Sequence, residues 1–355
     1  MKLNLYLPGL CWTDADPALY QQLPTPALDL LFRRARHRPL GLDGLTVLAD
    51  RLGLPLPLPH AALSALGLGL NAEEGYWLHA DPVSLQPSRG ELILLDSSQF
   101  TLASDESDAL LAALNTHFAD DGLQFVAADA THWFLRLPSA PSMHTTPLLQ
   151  VLGRDIHPRL PQGEQAMHWH RLLNELQMLL YQHPVNDVRD RQGDPLVHSV
   201  WPWGEGALPP TQPSKHPLQL WADAPLWQGI ARWQQRPIQP LPTDGTRWLA
   251  STPTGEHLLV LPQLQAATAW QDGWQWREGL LQLEQRWFAP LWQALCKGQV
   301  QQLNLLWEGP QGLVGSSLTP AVRGRFWQRS RPWHQLRITL EHATALAPAL
   351  ALDWH

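Results

Sequence analysis

Cysteine is scarce in this chain of 355 residues: Cys11 and Cys296 are the only two. Two thiols cannot build a disulfide framework or a cysteine-based zinc site, and they fit a reducing compartment. Lysine is almost as rare, confined to Lys2, Lys215 and Lys297, so arginine carries the positive charge. We read that as the mark of a GC-rich genome. Charged residues make up only 16% of the chain and the formal net charge is -7, which argues against a general polyanion binder. The longest uncharged stretch, Leu52 to Leu70, carries Pro55, Pro57, Pro59 and His60. It reads as a proline-rich loop before a short buried helix, not as a bilayer span. Met1 to Leu10 has neither the unbroken apolar segment nor the small-residue cleavage site of a signal peptide. The expectation is a soluble, cytoplasmic protein with no membrane partner. Fixed-period repeats are missing, as are a Walker sequence, a Gly-x-Ser-x-Gly elbow and a His-Glu-x-x-His pair. Gly67-Leu68-Gly69 lacks the third glycine of a dinucleotide fingerprint. His168 and His170 stand two apart on a helical stretch and so face different ways.

What the chain has is a core. Hydrophobic residues reach 44%, with 33 prolines and 19 tryptophans, enough to fold without a disulfide or metal staple. Lys2 to Leu7 alternates as a strand. Ala27 to Arg36 and Leu45 to Leu52 read as helices. Leu92 to Leu95 is an apolar strand, with Phe100 to Ala103 as its expected partner. Ser104 then caps a helix whose first turn holds Asp105, Glu106 and Asp108. Leu123 to Ala127 and His132 to Leu137 return as strands, and the order strand, helix, strand implies an α/β or α+β sheet. Pro138 to Pro147 reads as a linker. Gln162 to Gln182 is a helix stopped by Pro184. Gln219 to Trp233 is helical in part, and Gly279 to Cys296 is a further helix. Leu258 to Leu261, Leu303 to Trp307 and Leu336 to Leu340 are the late strands. The domains expected are 1–75, the first part of an α/β core; 76–145, an α+β subdomain or insertion; and 146–355, the remainder of the core.

Two stretches could carry chemistry. Arg323, Arg325, Arg329 and Arg331 surround Phe326, Trp327 and Trp333, a mixture that can hold single-stranded nucleic acid. An arginine-rich loop on an acidic protein is the plainer reading, and a nucleic-acid partner is not expected. The more specific stretch runs from His183 through Asn186, Arg189 and Arg191 to Trp201-Pro202-Trp203-Gly204-Glu205-Gly206. Its tryptophans and glycines suggest a tight apolar turn. Asn186, Arg189 and Arg191 offer forked donors for a small anion, a phosphate or carboxylate. An anion site and a structural turn remain equally open from the residues alone. The candidate ligand-binding set is Asn186, Arg189, Arg191, Trp201, Trp203, Gly204 and Gly206.

The Trp-x-Trp-Gly-x-Gly segment resembles that of archaeal-type cofactor-independent phosphoglycerate mutases, of the alkaline phosphatase superfamily. Thr25-Pro26-Ala27-Leu28-Asp29 is similar to the superfamily's Thr-Pro-Asn-Leu-Asp helix start, and Asp81-Pro82-Val83 falls in a compatible order. Over most of its length, including Trp287-Phe288-Ala289-Pro290, the chain resembles the proteobacterial regulatory proteins of RpfE type, degenerate relatives of those mutases. The resemblance implies an alkaline-phosphatase-like α/β sheet with helices on both faces, with room for an inserted α+β subdomain. It also implies two divalent metals held by Asp and His, and a Ser or Thr nucleophile. The chain departs from that pattern. Pro8-Gly9-Leu10 stands where Asp-Gly follows the opening strand. Pro57-Leu58-Pro59-His60 fills the nucleophile loop, and Ser64 sits inside the next helix. Leu259 to Gln263 has no Asp-x-x-x-His, and Trp307-Glu308-Gly309 replaces the last Asp-His pair. The expectation is therefore a protein without cofactor, metal or catalytic residues: a non-catalytic or catalytically altered, regulatory relative of the mutases, with room for a protein partner. One alternative is an active metal-dependent mutase or phosphotransferase using Asp14, Asp16, His60 and Asp272. A second is a nucleic-acid-associated factor.

Overall fold

A computed structural model describes residues 1–12, 15–41, 44–88, 90–213, 217–251, 255–309, 312–321 and 332–335. The late strand expected at Leu336 to Leu340 and the arginines from Arg323 to Arg331 lie outside them. The chain forms two compact units: Met1–Leu54, Ser214–Asp223 and Pro237–His355 make the first, and Pro55–Pro213 with Ala224–Arg236 the second. The compact body around the expected 76–145 insertion thus begins earlier and ends later than its sequence limits. No helix among the described residues is long and apolar enough to cross a membrane.

The first unit opens with β1 (Lys2–Leu7), α1 (Pro26–Arg34), β2 (Arg36–Gly41) and α2 (Gly44–Arg51). The second holds α3 (His60–Gly67), β3 (Tyr76–Ser88), β4 (Glu91–Leu95), α4 (Ser104–His117), β5 (Gln124–Ala127), β6 (Trp133–Leu137), α5 (Ala166–Tyr181), α6 (Pro184–Gln192) and β7 (Ser199–Gly206). Then come β8 (Leu218–Trp221) in the first unit and α7 (Pro225–Trp233) in the second. The first unit closes with β9 (Ile238–Gln239), α8 (Gly245–Ser251), β10 (Glu256–Val260), α9 (Gln265–Ala269), α10 (Gly273–Leu283), a π-helical turn (Glu284–Phe288), α11 (Ala289–Cys296), β11 (Gln302–Gly309) and β12 (Gly312–Leu318).

The first unit's seven-stranded sheet has the order β2-β12-β11-β1-β10-β8-β9. β1 lies between β10 and β11 and is parallel to both, with Leu5 opposite Leu259 and Leu305. Alternation along β1 decides its faces. Leu3, Leu5 and Leu7 enter a core with Leu28, Phe32, Trp276, Trp287 and Leu291, from α1, α10, the π turn and α11. Tyr6 points the other way, toward α2, where a side chain on Gly44 would meet its hydroxyl. Buried Asn4 donates from Nδ2 to the His257 carbonyl and accepts from Asn304 Nδ2 at 2.8 Å. That polar pair fixes the register of β1 against β11, because a slip would strand both amides in the core. Glu284, in the π turn, accepts from the backbone N–H of Ala27 and Leu28 at 2.7 and 3.0 Å. It supplies the α1 cap that Thr25, with no side-chain bond, does not.

The second unit's five-stranded sheet has the order β4-β3-β6-β5, with β7 also paired to β3. Leu78 and Ala80 of β3 join Leu110, Leu114, Trp133, Leu135, Leu172 and Leu176 under α4 and α5. Trp77 and Phe134 pack on the opposite face with Ala61, Ala62 and Ala65 of α3. α7 crosses α3 at two glycines: a Cβ on Gly67 would run into the Pro225 carbonyl, and one on Gly229 into that of Leu63.

Several sequence expectations change here. Phe100 to Ala103 is not a strand; β4 pairs with β3 instead. Ser104 lies in the first turn of α4, and the capping acceptor is Glu106, which takes the Ala103 N–H at 2.9 Å. Pro184 ends α5 but also opens α6 at its first turn, with the His183 side chain accepting from Val185 N–H and Gly193 closing it in the left-handed region. Proline is disfavoured only where its missing N–H would be bonded, and a first turn has no such need. The segment 138–147 stays within one unit.

Candidate functional site

In open α/β sheets ligands bind beyond the carboxyl ends of the parallel strands. In the first unit these ends are closed by apolar groups. Gly9, past β1, has φ +77°, and its carbonyl accepts the Trp276 indole N–H at 2.8 Å. A Cβ on Gly9 would lie 2.8 Å from the Leu264 carbonyl oxygen, so the loops after β1 and β10 touch through their backbones. Leu10, Leu261, Leu264 and Trp307 are fully buried around them. The carboxylate near the end of β11, Glu308, accepts the Tyr6 hydroxyl at 2.7 Å. Of the residues of the metal-enzyme alternative, Asp16 caps the turn at Ala18 and Asp272 caps α10 through Gln275 N–H. Asp14 lies outside the described residues, and His60 belongs to the other unit. Among the described residues no three His, Cys, Asp or Glu side chains are placed to hold a metal ion. The residues at these strand ends do not fit the two divalent metals that the sequence resemblance implies.

The polar chemistry gathers in the second unit, on the face of the sheet that α3 covers. His79 and Asp81, two apart on β3, point to this face with Trp77. Trp203 of β7 sits opposite His79, and Phe134 of β6 flanks it on the other side. The His79 and Trp203 rings stack with centroids 4.2 Å apart and planes 10° apart; Phe134 lies at 5.0 Å. The Trp203 indole donates to Asp81 Oδ2 at 2.5 Å. From α3, His60 Nδ1 comes within 3.0 Å of His79 Nε2, and Ser64 Oγ lies 3.4 Å from the same His60 nitrogen. An imidazole–imidazole bond needs one donor and one acceptor, so this contact holds a single proton.

A glycine bulge makes the contact possible. His79 pairs with Trp203 but Trp77 pairs with Gly206, so β7 carries one residue more than β3 over this interval. Gly204 takes φ +69° within it, the left-handed conformation of a glycine bulge. A Cβ there would meet His60 Cβ at 3.1 Å and His79 Cδ2 at 3.3 Å, and one on Gly206 would meet Pro59 Cα at 2.6 Å. The two glycines let β7 lie directly on the start of α3. Trp201-Pro202-Trp203-Gly204-Glu205-Gly206 is therefore a strand with a bulge, not the tight turn expected from its composition. Pro202 is tolerated because β7 pairs on one side only.

Burial holds the His60 imidazole down at about 4. It holds His79 well below the usual histidine range too, helped by the facing His60 and His132. Burial pushes Asp81 up to about 7, against the lowering effects of the Trp203 hydrogen bond and His132 and with Asp96 adding to the rise. At neutral pH both rings are thus uncharged, as a one-proton contact requires.

The candidate ligand residues divide. Trp203, Gly204 and Gly206 belong to this cluster. Trp201 is buried, its indole bonded to the Thr146 carbonyl. Asn186 and Arg189 serve the fold elsewhere in the unit. Asn186 Nδ2 donates to the carbonyls of Leu180 and Val197, and its Oδ1 accepts from Val197 N–H. Arg189, 2% exposed, donates to the Pro195 carbonyl, to Glu106 Oε2 and to the Thr101 carbonyl, all within 2.9 Å. Its fork is committed to the protein's own acceptors. Arg191 is exposed and bonds the Asp187 carbonyl through Nε. His79 escaped the sequence reading, and Asp81 entered it only through the resemblance. Their signal was positional: two polar residues two apart in a strand whose other face is apolar.

Residues 60–186 match the family model of 2,3-bisphosphoglycerate-independent phosphoglycerate mutase, a stretch lying wholly within the second unit. A probable 2,3-bisphosphoglycerate-independent phosphoglycerate mutase of Geobacter sulfurreducens is 30% identical over 128 residues, 36% of this chain and 32% of its own length. The corresponding mutase of Methanosarcina barkeri is 25% identical over 211 residues, 55% of this chain and 51% of its own. The chain thus spans between about a third and a half of the length of these curated relatives. A solved protein of Pyrococcus horikoshii aligns over 90% of this chain and 87% of its own with TM-score 0.50 and 12% identity, a likeness of fold. The expected α/β architecture is the one observed, and residues 60–186 are similar to the phosphoglycerate mutases.

Proposed function

We propose that this protein is a phosphoglycerate-mutase-like scaffold without metal-dependent phosphoryl transfer, acting as a non-catalytic, regulatory protein in the cytoplasm. One observation carries the reading. The loops beyond β1 and β10, where the resemblance implies metal ligands, touch through Gly9 and Leu264 and are sealed by the Trp276 indole. Two-metal catalysis needs carboxylate and imidazole donors converging on an open position, and here that volume holds leucine and tryptophan. The family match lies in the other unit. The small anionic ligand expected at 186–206 is retained with Arg189 removed from the binding set, since its donors hold the backbone at Thr101 and Pro195.

The test is a coupled phosphoglycerate mutase assay on protein purified in manganese, paired with elemental analysis. We expect no turnover above the blank and less than one metal ion per chain. Turnover that a chelator abolishes, with two metals per chain, would overturn the proposal.

A further inference from the structure

We propose that the contact between His60 and His79 is a one-proton latch that fastens the first turn of α3 to the bulged β3–β7 ladder, and that protonation of both rings opens it. The argument starts from geometry. His60 Nδ1 and His79 Nε2 are 3.0 Å apart. One hydrogen between them makes a bond; when both rings are protonated every ring nitrogen carries a hydrogen, so two N–H groups stand head to head and two like charges meet in a buried place. Neither ring can turn aside where it stands. His79 is 5% exposed and held between Trp203 and Phe134. His60 lies over Trp203 at 4.5 Å, with Gly204 against its Cβ. The strain of protonating both rings therefore falls on the element that can move, α3, whose first turn starts at His60 after a proline N-cap with no side-chain bond.

The surrounding groups set the direction. Asp81 on β3 approaches His79 Nδ1 only to 4.0 Å, and its other oxygen takes the Trp203 indole. His132, ahead of β6, adds positive charge when protonated and is bonded to Asp129 at 2.8 Å. Asp96, after β4, acts on Asp81 and not on the rings. Glu205 on β7 is engaged by Thr145 through both its N–H and its hydroxyl. Arg232 of α7 bonds the Leu66 carbonyl at the far end of α3. None of these carboxylates hydrogen-bonds either ring, and Asp81, the nearest, stops at 4.0 Å from His79 Nδ1.

Amide hydrogen exchange from pH 7 to 5, corrected for intrinsic rates, reads the latch. In the unaltered chain the amides of Leu63 to Gly67 should lose protection by roughly tenfold or more, since each pH unit below a free histidine's pKa favours the protonated open form about tenfold. The amides of α4 should not change in step. H79Q places a neutral amide near the Nε2 position, and H60N does the same for Nδ1. In whichever of these folds, the pH response of α3 should vanish while its protection at pH 7 stays within a few-fold of the unaltered chain. A flat response in the unaltered chain, an equal response in the variants, or a parallel loss in α4 would each overturn the proposal.

Discussion

Beyond its parallel strands the seven-stranded sheet meets leucine and tryptophan; on its α3 face the five-stranded sheet meets two imidazoles and a carboxylate. The first arrangement bonds the Trp276 indole to a backbone carbonyl at Gly9. The second leaves protons to be shared among side chains. The family match falls on the second unit, while the resemblance places the metal ligands in positions filled here by Pro8-Gly9, Leu261-Pro262 and Trp307-Glu308 of the first. A scaffold can keep one unit's sequence while the other exchanges donor groups for packing, because a filled cavity stabilises the sheet whether or not chemistry survives.

The contrast is sharpest at Arg189. Replacing it with alanine removes three charge-assisted hydrogen bonds, to Glu106 and to the carbonyls of Thr101 and Pro195, each worth about 1.5–3 kcal/mol. R189A should lower the denaturation midpoint strongly and expose α4 and α6 first in hydrogen exchange. A variant of normal stability that has lost phosphate binding would return Arg189 to a ligand pocket.

The next effect is that of pH. His60 titrates near 6.5 when unfolded and near 4 when folded, so its contribution is complete above pH 6.5 and disappears as pH falls toward about 4. Its ceiling is about 3 kcal/mol, and His79 acts in the same direction. Asp81 opposes them. Raised to about 7, it favours the folded state most at low pH and loses that contribution as pH rises through 7. With two histidines against one aspartate, the hold of α3 on its sheet should weaken between pH 6.5 and 4. Denaturant titrations at fixed pH values, followed through α3 amides, would show it; greater stability at pH 4.5 than at 7 would contradict it.

Smallest is the expected effect at the closed strand ends. W276F removes the donor to the buried Gly9 carbonyl and should cost about 1–3 kcal/mol, by the same amount at pH 5 and pH 7. A pH-dependent loss there would erase the distinction between the units.

The sequence made elements with one apolar face easy to read. Lys2 to Leu7, Leu123 to Ala127, His132 to Leu137 and Leu303 to Trp307 fall on β1, β5, β6 and β11. β3 was missed because His79, Asp81, Pro82 and Pro87 break its apolar alternation, and only the tertiary cover of α3 makes those polar groups buried. β7 looked like a turn because Pro202, Gly204 and Gly206 punctuate it, yet a one-sided strand with a bulge tolerates all three. Arg189 looked like a ligand donor because forked donors are alike in sequence, whether an anion or a backbone carbonyl waits for them. His60 was named for its loop, but its partner lay on a strand not yet recognised.

The position of β1 has a consequence for biosynthesis. Lys2 to Leu7 leaves the ribosome well before its two neighbours, Glu256 to Val260 and Gln302 to Leu306 with Trp307. The central strand of the sheet must therefore wait, with both edges open and three leucines on one face, until most of the chain has been made. Pairings this distant in sequence form slowly, and unpaired apolar edges invite association between nascent chains. The yield of folded protein should thus depend on chaperone capacity and translation rate more than the finished structure's stability would suggest.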